Sequence, residues 1–231
     1  MQKQSALSIV LILVVFPCFG KMHILLTAAL TDAYFEFRRQ QYITNFTGLD
    51  NFGYHDFYIV EALKKHGPTF LDDYSNHVFY ATTNNPNLRN KGINEAQTML
   101  EAIGYFNFNP EDMILKMTGR YRFISDRFLK LVENSSDYDA IIKIHWPTAQ
   151  AYTLGFAMKC KYLQEMLQNI NYWVMEDQMI NLEREVAKYV LRKKNKNKNF
   201  KVLYVENLDI EVNVFGSSVS TGAPNEAYVR C

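Results

Sequence analysis

Four short apolar runs punctuate the first half of the chain, at 23–29, 57–60, 77–82 and 113–115, and longer polar or helix-like stretches separate them. A strand buried on both faces reads as a short continuous apolar run, and strands joined through helices run parallel. The order βαβαβ therefore predicts a mostly parallel sheet with helices on both faces. The intervening helices are read at 35–42, charged and aromatic, and at 95–103, with Met99, Leu100 and Ile103 on the apolar side. In the second half, helices are read at 125–132, 161–170 and 175–194, and strands at 140–144, 154–158 and 202–215. The connections there are less regular, so the sheet is expected to be mixed. The helix at 175–194 rests on Met175, Met179, Leu182, Val186, Tyr189 and Val190, which step by three and four. With 231 residues the chain can bury one sizeable core, so the fold class is a single α/β, Rossmann-like domain.

The ends differ from this domain, which is placed at 22–215. Residues 1–20 have a weakly basic start, an apolar run from Ala6 to Phe16, and small residues at Cys18 and Gly20. That composition reads as a secretory signal peptide, with an uncleaved signal anchor as the second reading. The first places the protein in the secretory pathway, exported or membrane-associated. A third reading starts the protein at Met22 and leaves it cytoplasmic. The segment 216–231 is rich in Gly and Ser and is expected to be a flexible tail. Three cysteines at 18, 160 and 231 form neither a disulfide framework nor a zinc pattern; in an exported chain one Cys160–Cys231 bridge is open. Asn45-Phe46-Thr47 and Asn134-Ser135-Ser136 are glycan acceptor sequences that matter only in a eukaryotic secretory pathway. The net charge of +1 gives no field for nucleic acid.

Two polar knots follow strand-like runs. One is Asn84-Asn85 with Asn90-Lys91-Gly92-Ile93-Asn94-Glu95. The other is Lys116-Met117-Thr118-Gly119-Arg120, read as a turn after the strand at 113–115. Gly119 permits close backbone approach, and Lys116 and Arg120 supply fixed positive charge. Together they point to a polar ligand along one sheet edge.

On these elements the chain resembles the nucleotide-sugar-dependent glycosyltransferases of the GT-A type, over residues 23 to about 215. The strand at 23–29 ending near Thr27 is similar to the first strand that grips the nucleotide. Tyr58-Ile59-Val60-Glu61 is similar to the second strand with its acidic end. The 90–96 segment resembles the loop that reads nucleotide and sugar, and 153–158 the strand beneath the acceptor. Tyr172 to Asp177 looks like the acidic helix start that carries a catalytic base. The resemblance implies a glycosyltransferase in glycan biosynthesis, with a nucleotide-sugar donor, a glycan or other hydroxyl acceptor and a divalent cation, Mn or Mg. The paired aspartates that hold such a cation are missing after the fourth strand. Asp72-Asp73 and Asp137-Tyr138-Asp139 both precede strands, so no metal ligand is assigned.

Sugar transfer from a nucleotide diphosphate leaves negative charge on the leaving group. Lys116 and Arg120 are expected to meet it, with Thr118 and Gly119 between them; surface ion pairs with Asp112 or Asp126 are the plainer alternative. Thr27, Glu61, Asn85, Lys91 and Asn94 complete the expected donor site, although turn chemistry and an N-cap at Asn94 also explain the asparagines. Glu176 and Asp177, read as opening the long helix, are the candidate bases. Glu183 is a weaker candidate, more simply a solvated residue. His145 and Trp146 are candidates for the acceptor side, and Arg38 and Arg39 read most simply as a solvated helix face, with one of them able to reach a phosphate as the alternative. The competing class is a non-catalytic, exported carbohydrate-binding or structural protein on the same fold.

Overall fold

The computed structural model describes residues 20–31, 35–65, 67–213 and 228–231. The leader read at 1–20 lies, apart from Gly20, outside the described residues, as does 214–227. Among the described residues no helix is long and apolar enough to cross a membrane.

The chain runs β1 (Met22–Ala28), α1 (Phe35–Asn51), β2 (Phe57–Glu61), β3 (His77–Tyr80), α2 (Lys91–Phe106) and β4 (Met113–Thr118). It continues through β5 (Arg122–Phe123), α3 (Arg127–Glu133), β6 (Ala140–Ile142), β7 (Ile144–His145), β8 (Gln150–Ala151), β9 (Gly155–Lys159) and α4 (Cys160–Gln168). Then come α5 (Tyr172–Asp177), α6 (Leu182–Lys196), β10 (Val202–Tyr204), β11 (Ile210–Asn213) and β12 (Tyr228–Arg230). A central seven-stranded sheet has the order β10-β6-β9-β4-β1-β2-β3. Strands β1 to β4 are mutually parallel, and β9 runs antiparallel to both β4 and β6. This is the expected α/β fold with a mixed central sheet and helices on both faces.

Alternation along the strands sorts the core into two layers. Ile24, Leu26, Leu115 and Met117 pack with Tyr42, Phe46 and Leu49 of α1 on one face. Leu25 and Ile114 pack with Ile93, Ala96 and Met99 of α2 and with α4 and α6 residues on the other. Strands β11, β12 and β5 form a small antiparallel sheet. The tail read as flexible over 216–231 therefore ends in a paired strand at Tyr228–Arg230.

Three boundaries move, each for a physical reason. Strand β4 does not stop at Leu115 but runs to Thr118, because β1 and β9 hold it from both sides. Helix α2 starts at Lys91 rather than Glu95: Asn90 is its cap, accepting the Gly92 N–H at 3.1 Å. The helix read at 175–194 is two helices. The chain turns at Met179 (φ 51°), and the Asn181 side chain caps α6 by accepting the Arg184 N–H. Met175 and Leu182 stand seven residues apart and are both buried, so the periodicity runs on through the break.

The two cysteines of the described residues are free. Cys160 lies in the α2–α4 layer and Cys231 packs against the opposite one, so the sheet separates them and no bridge forms. Asn45 is 1% exposed and donates to the Gly119 carbonyl at 3.0 Å. The folded chain therefore offers no glycan acceptor there, whereas Asn134 is exposed.

Candidate active site at the switch point of the sheet

From β1 the chain adds β2 and β3 on one side, then crosses through α2 to place β4 on the other side of β1. The direction of winding reverses between β1 and β4. In open α/β sheets the crevice beyond the strand ends at such a point receives the ligand. Here Thr118, the last residue of β4, is the register partner of Thr27, the penultimate residue of β1.

Beneath them lies Lys116, with no exposed surface. Its ammonium meets Glu95 Oε1 of α2 at 2.5 Å, the Thr153 carbonyl at 2.7 Å and Thr118 Oγ1 at 3.3 Å. Thr27 Oγ1 donates to the same Glu95 oxygen at 3.2 Å, and Thr153 Oγ1 donates to Glu183 Oε1 at 2.8 Å. One connected network thus spans β1, α2, β4, the β8–β9 connection and α6. A buried charge survives only when paired and hydrogen-bonded, and Lys116 is both. The sequence-based role of Lys116 as a free phosphate ligand is corrected accordingly: its charge is already met by Glu95. Glu183 is likewise no solvated outer residue.

The other side of the crevice is made by α1. The Gly119 N–H donates to the Thr27 carbonyl at 2.9 Å. A Cβ at Gly119 would stand 3.1 Å from that oxygen and from the Tyr42 ring, so glycine lets the loop close onto β1 and α1. Arg38 is buried rather than solvated, and its guanidinium donates to the Ala29 carbonyl at 3.3 Å. Arg120 lies over the Tyr121 ring at 5.4 Å. Its charge is felt at Arg38, Tyr42 and Tyr121. Burial, then the Arg120 charge, lowers the Arg38 pKa. Burial pushes the Tyr42 phenol up to about 12.

Glu61 ends β2 fully buried. Its carboxyl accepts the N–H groups of Leu30 (3.1 Å), Leu63 (2.7 Å) and Lys64 (2.9 Å), tying the loops after β1 and β2 together. Burial raises its pKa in spite of these bonds. Next to it a cavity of about 470 Å³ opens between Leu30, Phe35, Arg39, Lys64, Thr69 and Phe70.

The remaining sequence candidates lie on the same strand-end edge but mostly serve their own loops. The Asn94 side chain accepts the Asn85 N–H and donates to the Asn85 carbonyl, each at 2.9 Å, and the Asn85 side chain accepts the Asn87 N–H. The Lys91 ammonium donates to the Pro86 and Leu88 carbonyls. Glu176 closes α5 instead of opening a long helix, and its two oxygens accept the N–H groups of Arg89 and Asn90, each at 3.0 Å. Those bonds lower its pKa, the opposite of what a general base needs. Asp177 is exposed at the end of the same short helix. His145 is exposed and bonds Thr148 Oγ1 at 2.8 Å. Trp146 is 58% exposed, with its ring 5.3 Å from Tyr204.

A depressed carboxylate contributes stability that is complete above its unfolded pKa and lost as the pH falls through its folded one. The gap in urea midpoint between the native protein and Glu176→Gln should therefore be widest near neutral pH. It should close as the pH drops below about 4. A gap that stays constant over that range would remove the clamp role.

What reasoning from sequence missed is the structural role of Asn45 and the burial of Arg38 in α1, and the links that tie Glu95, Thr153 and Glu183 into one network. Glu95 carried a signal as part of the knot before α2, Thr153 as the start of the 153–158 segment, and Glu183 as a weaker candidate.

No family model matches the chain, and no curated protein is similar to it in sequence. Among solved structures, a cytidylyltransferase from Leptospira borgpetersenii serovar Hardjo-bovis (strain JB197) is similar in chain course. Its TM-score is 0.48 at 14% identity, over 81% of this chain and 76% of that one. The galactosyltransferase LgtC, in complex with donor and acceptor sugar analogs, gives a TM-score of 0.43 at 13% identity, over 80% and 73%. At these values the likenesses are distant and assign neither activity nor residues.

Among the described residues no three carboxyl, imidazole or thiol groups converge. The carboxylate nearest the end of β4, Glu95, is tied to Lys116, and Glu61 is occupied by backbone N–H groups. This donor set does not fit a divalent cation.

Proposed function

We propose that the chain is a transferase that takes a nucleotide-diphosphate-activated sugar as donor and passes the sugar to a hydroxyl acceptor. The observation that carries this reading is the fully buried Lys116, held by Glu95 and the Thr153 carbonyl below the β1/β4 switch point. That network fixes Thr27 and Thr118 at the mouth of the crevice, where a polar ligand meets pre-set dipoles. The cavity beside Phe35 and Phe70, which Leu30, Glu36, Arg39, Lys64 and Thr69 also line, is of a size to take a nucleoside. Glu183, half-buried and hydrogen-bonded to Thr153, is the base for the acceptor. In the transfer the acceptor oxygen gives its proton to Glu183 and bonds the anomeric carbon, while the bond from that carbon to the diphosphate oxygen breaks. Trp146, exposed beside Tyr204 on the same edge, offers a face on which an acceptor sugar can stack.

The test is a thermal-shift screen against UDP, GDP, CDP and ADP and their diphospho-sugars. A ligand at a hundred times its Kd stabilises by about 2.7 kcal/mol, so at least one of them should raise the unfolding midpoint by several degrees. No shift with any at millimolar concentration would overturn the reading in favour of a non-catalytic carbohydrate-binding protein.

A further inference from the structure

We infer that the hydroxyl acceptor is an acidic glycan, seated on Trp146 and Tyr204 with its anionic groups against the cations at the end of α6. This rests on the transferase reading and deepens it by naming the chemical class of the acceptor. Strands β10 and β6 are parallel, and β9 is antiparallel to both β6 and β4. Strands β10, β6 and β4 therefore point the same way. Tyr204, the last residue of β10, stands on the same sheet edge as Thr118. The turn after β7 brings Trp146 to it, with ring centroids 5.3 Å apart. Residues 145–149 of that turn are all exposed. Two bonds fix its shape: His145 Nδ1 meets Thr148 Oγ1 at 2.8 Å, and the Ala149 N–H donates to the Trp146 carbonyl at 3.2 Å. An indole held in water on a fixed turn is stabilised by covering. The C–H face of a sugar ring covers it while the sugar hydroxyls stay solvated.

Charge decides the kind of sugar. The Lys194 ammonium lies 5.8 Å from the centre of the Tyr204 ring, so a cation adjoins the aromatic pair. From 192 to 206 the sequence carries six cationic side chains and one carboxylate, Glu206. Lys193 meets Glu165 at 2.7 Å, and Lys201 stands 3.7 Å from Asp137. Arg192, Lys194, Lys196 and Lys198 are exposed, and among the described residues none of them forms an ion pair. Like charges gathered on one short stretch repel one another, and a ligand bearing several anionic groups relieves that. A sugar chain carrying carboxylate, sulfate or phosphate groups satisfies both the rings and the cations.

Fluorescence titration of the full chain carrying Trp173→Phe, which leaves Trp146 as its one indole, tests the assignment. The probes are oligogalacturonate, chondroitin sulfate oligosaccharides and uncharged malto-oligosaccharides of matched length. At least one acidic set should shift the Trp146 emission and bind about 10-fold more tightly than the uncharged set, exposed charge pairs being worth a few-fold each. Replacing Lys194, Lys196 and Lys198 together by Gln should remove most of that preference and leave uncharged binding as it was. Trp146→Ala, followed by calorimetry, should weaken acidic and uncharged sugars alike. Polyglutamate bound as tightly as the acidic sugars, with no change in Trp146 emission, would reduce the patch to a nonspecific anion surface and overturn the assignment. A thermal shift with a nucleotide but no acidic preference in any sugar would overturn the acceptor class and leave the transferase reading standing. Acidic sugar binding with no response to any nucleotide would uphold the surface and sink the transfer.

Discussion

Lys116→Met should lower the unfolding free energy by about 3 kcal/mol, the lower end of the range for removing one partner of a buried ion pair. The lower end applies because Glu95 keeps 30% of its side chain exposed and water recovers part of its charge. The Thr153 carbonyl loses its 2.7 Å donor at the same time. Methionine fills nearly the same volume, so the loss comes from charge and hydrogen bonding and not from a cavity. Adding Glu95→Gln should return part of the loss, since the remaining partner is then neutral and still accepts from Thr27. Urea denaturation of the native protein, the two single variants and the double variant closes the cycle. A Lys116→Met cost under 1 kcal/mol, or no recovery in the double variant, would mean that the pair does not organise this edge.

Asn90→Ala should cost roughly 3 kcal/mol by a different route. Its side chain accepts the Gly92 N–H and donates to the Met175 and Ile180 carbonyls at 2.8 and 2.7 Å. A helix cap contributes about 1 kcal/mol, and each of the two hydrogen bonds lost to these carbonyls adds about 1 kcal/mol more. One amide thus joins the start of α2 to the turn between α5 and α6. Asn90→Ser keeps the capping oxygen but lacks the donors, so it should fall between the native protein and Asn90→Ala. Urea midpoints with hydrogen exchange at the Gly92 amide measure both parts. An Asn90→Ser variant as unstable as Asn90→Ala would assign the whole effect to the two carbonyls.

The parallel half of the sheet was legible because its strands are buried on both faces and announce themselves as apolar runs. The strand-end edge was legible too: Thr27, Glu61, Thr118 and Gly119 do stand there. What the sequence hid was partnership. Lys116 reads as a free cation because nothing local shows Glu95 folding over from α2. Arg38 reads as solvated because its burial comes from the loops after β1 and β4, which are distant in sequence. Glu176 and Asp177 read as a helix start because Met175 and Leu182 keep helical spacing across the turn between α5 and α6. Periodicity reports which side of a segment is buried, and a turn that preserves that side leaves no trace in it.

The place of β9 has a consequence for biosynthesis. A chain emerging from the ribosome has all four parallel strands once residue 118 is made, yet the free edge of β4 finds its partner only in Gly155–Lys159. At roughly 5–20 residues per second that edge stays open for a few seconds. An unpaired edge of apolar strand is a template for pairing with another chain. The carbonyl of Thr153 that completes the Lys116 network arrives in the same late segment. The step that covers the nascent edge is thus also the step that finishes the site, and a stalled or truncated chain would lack both.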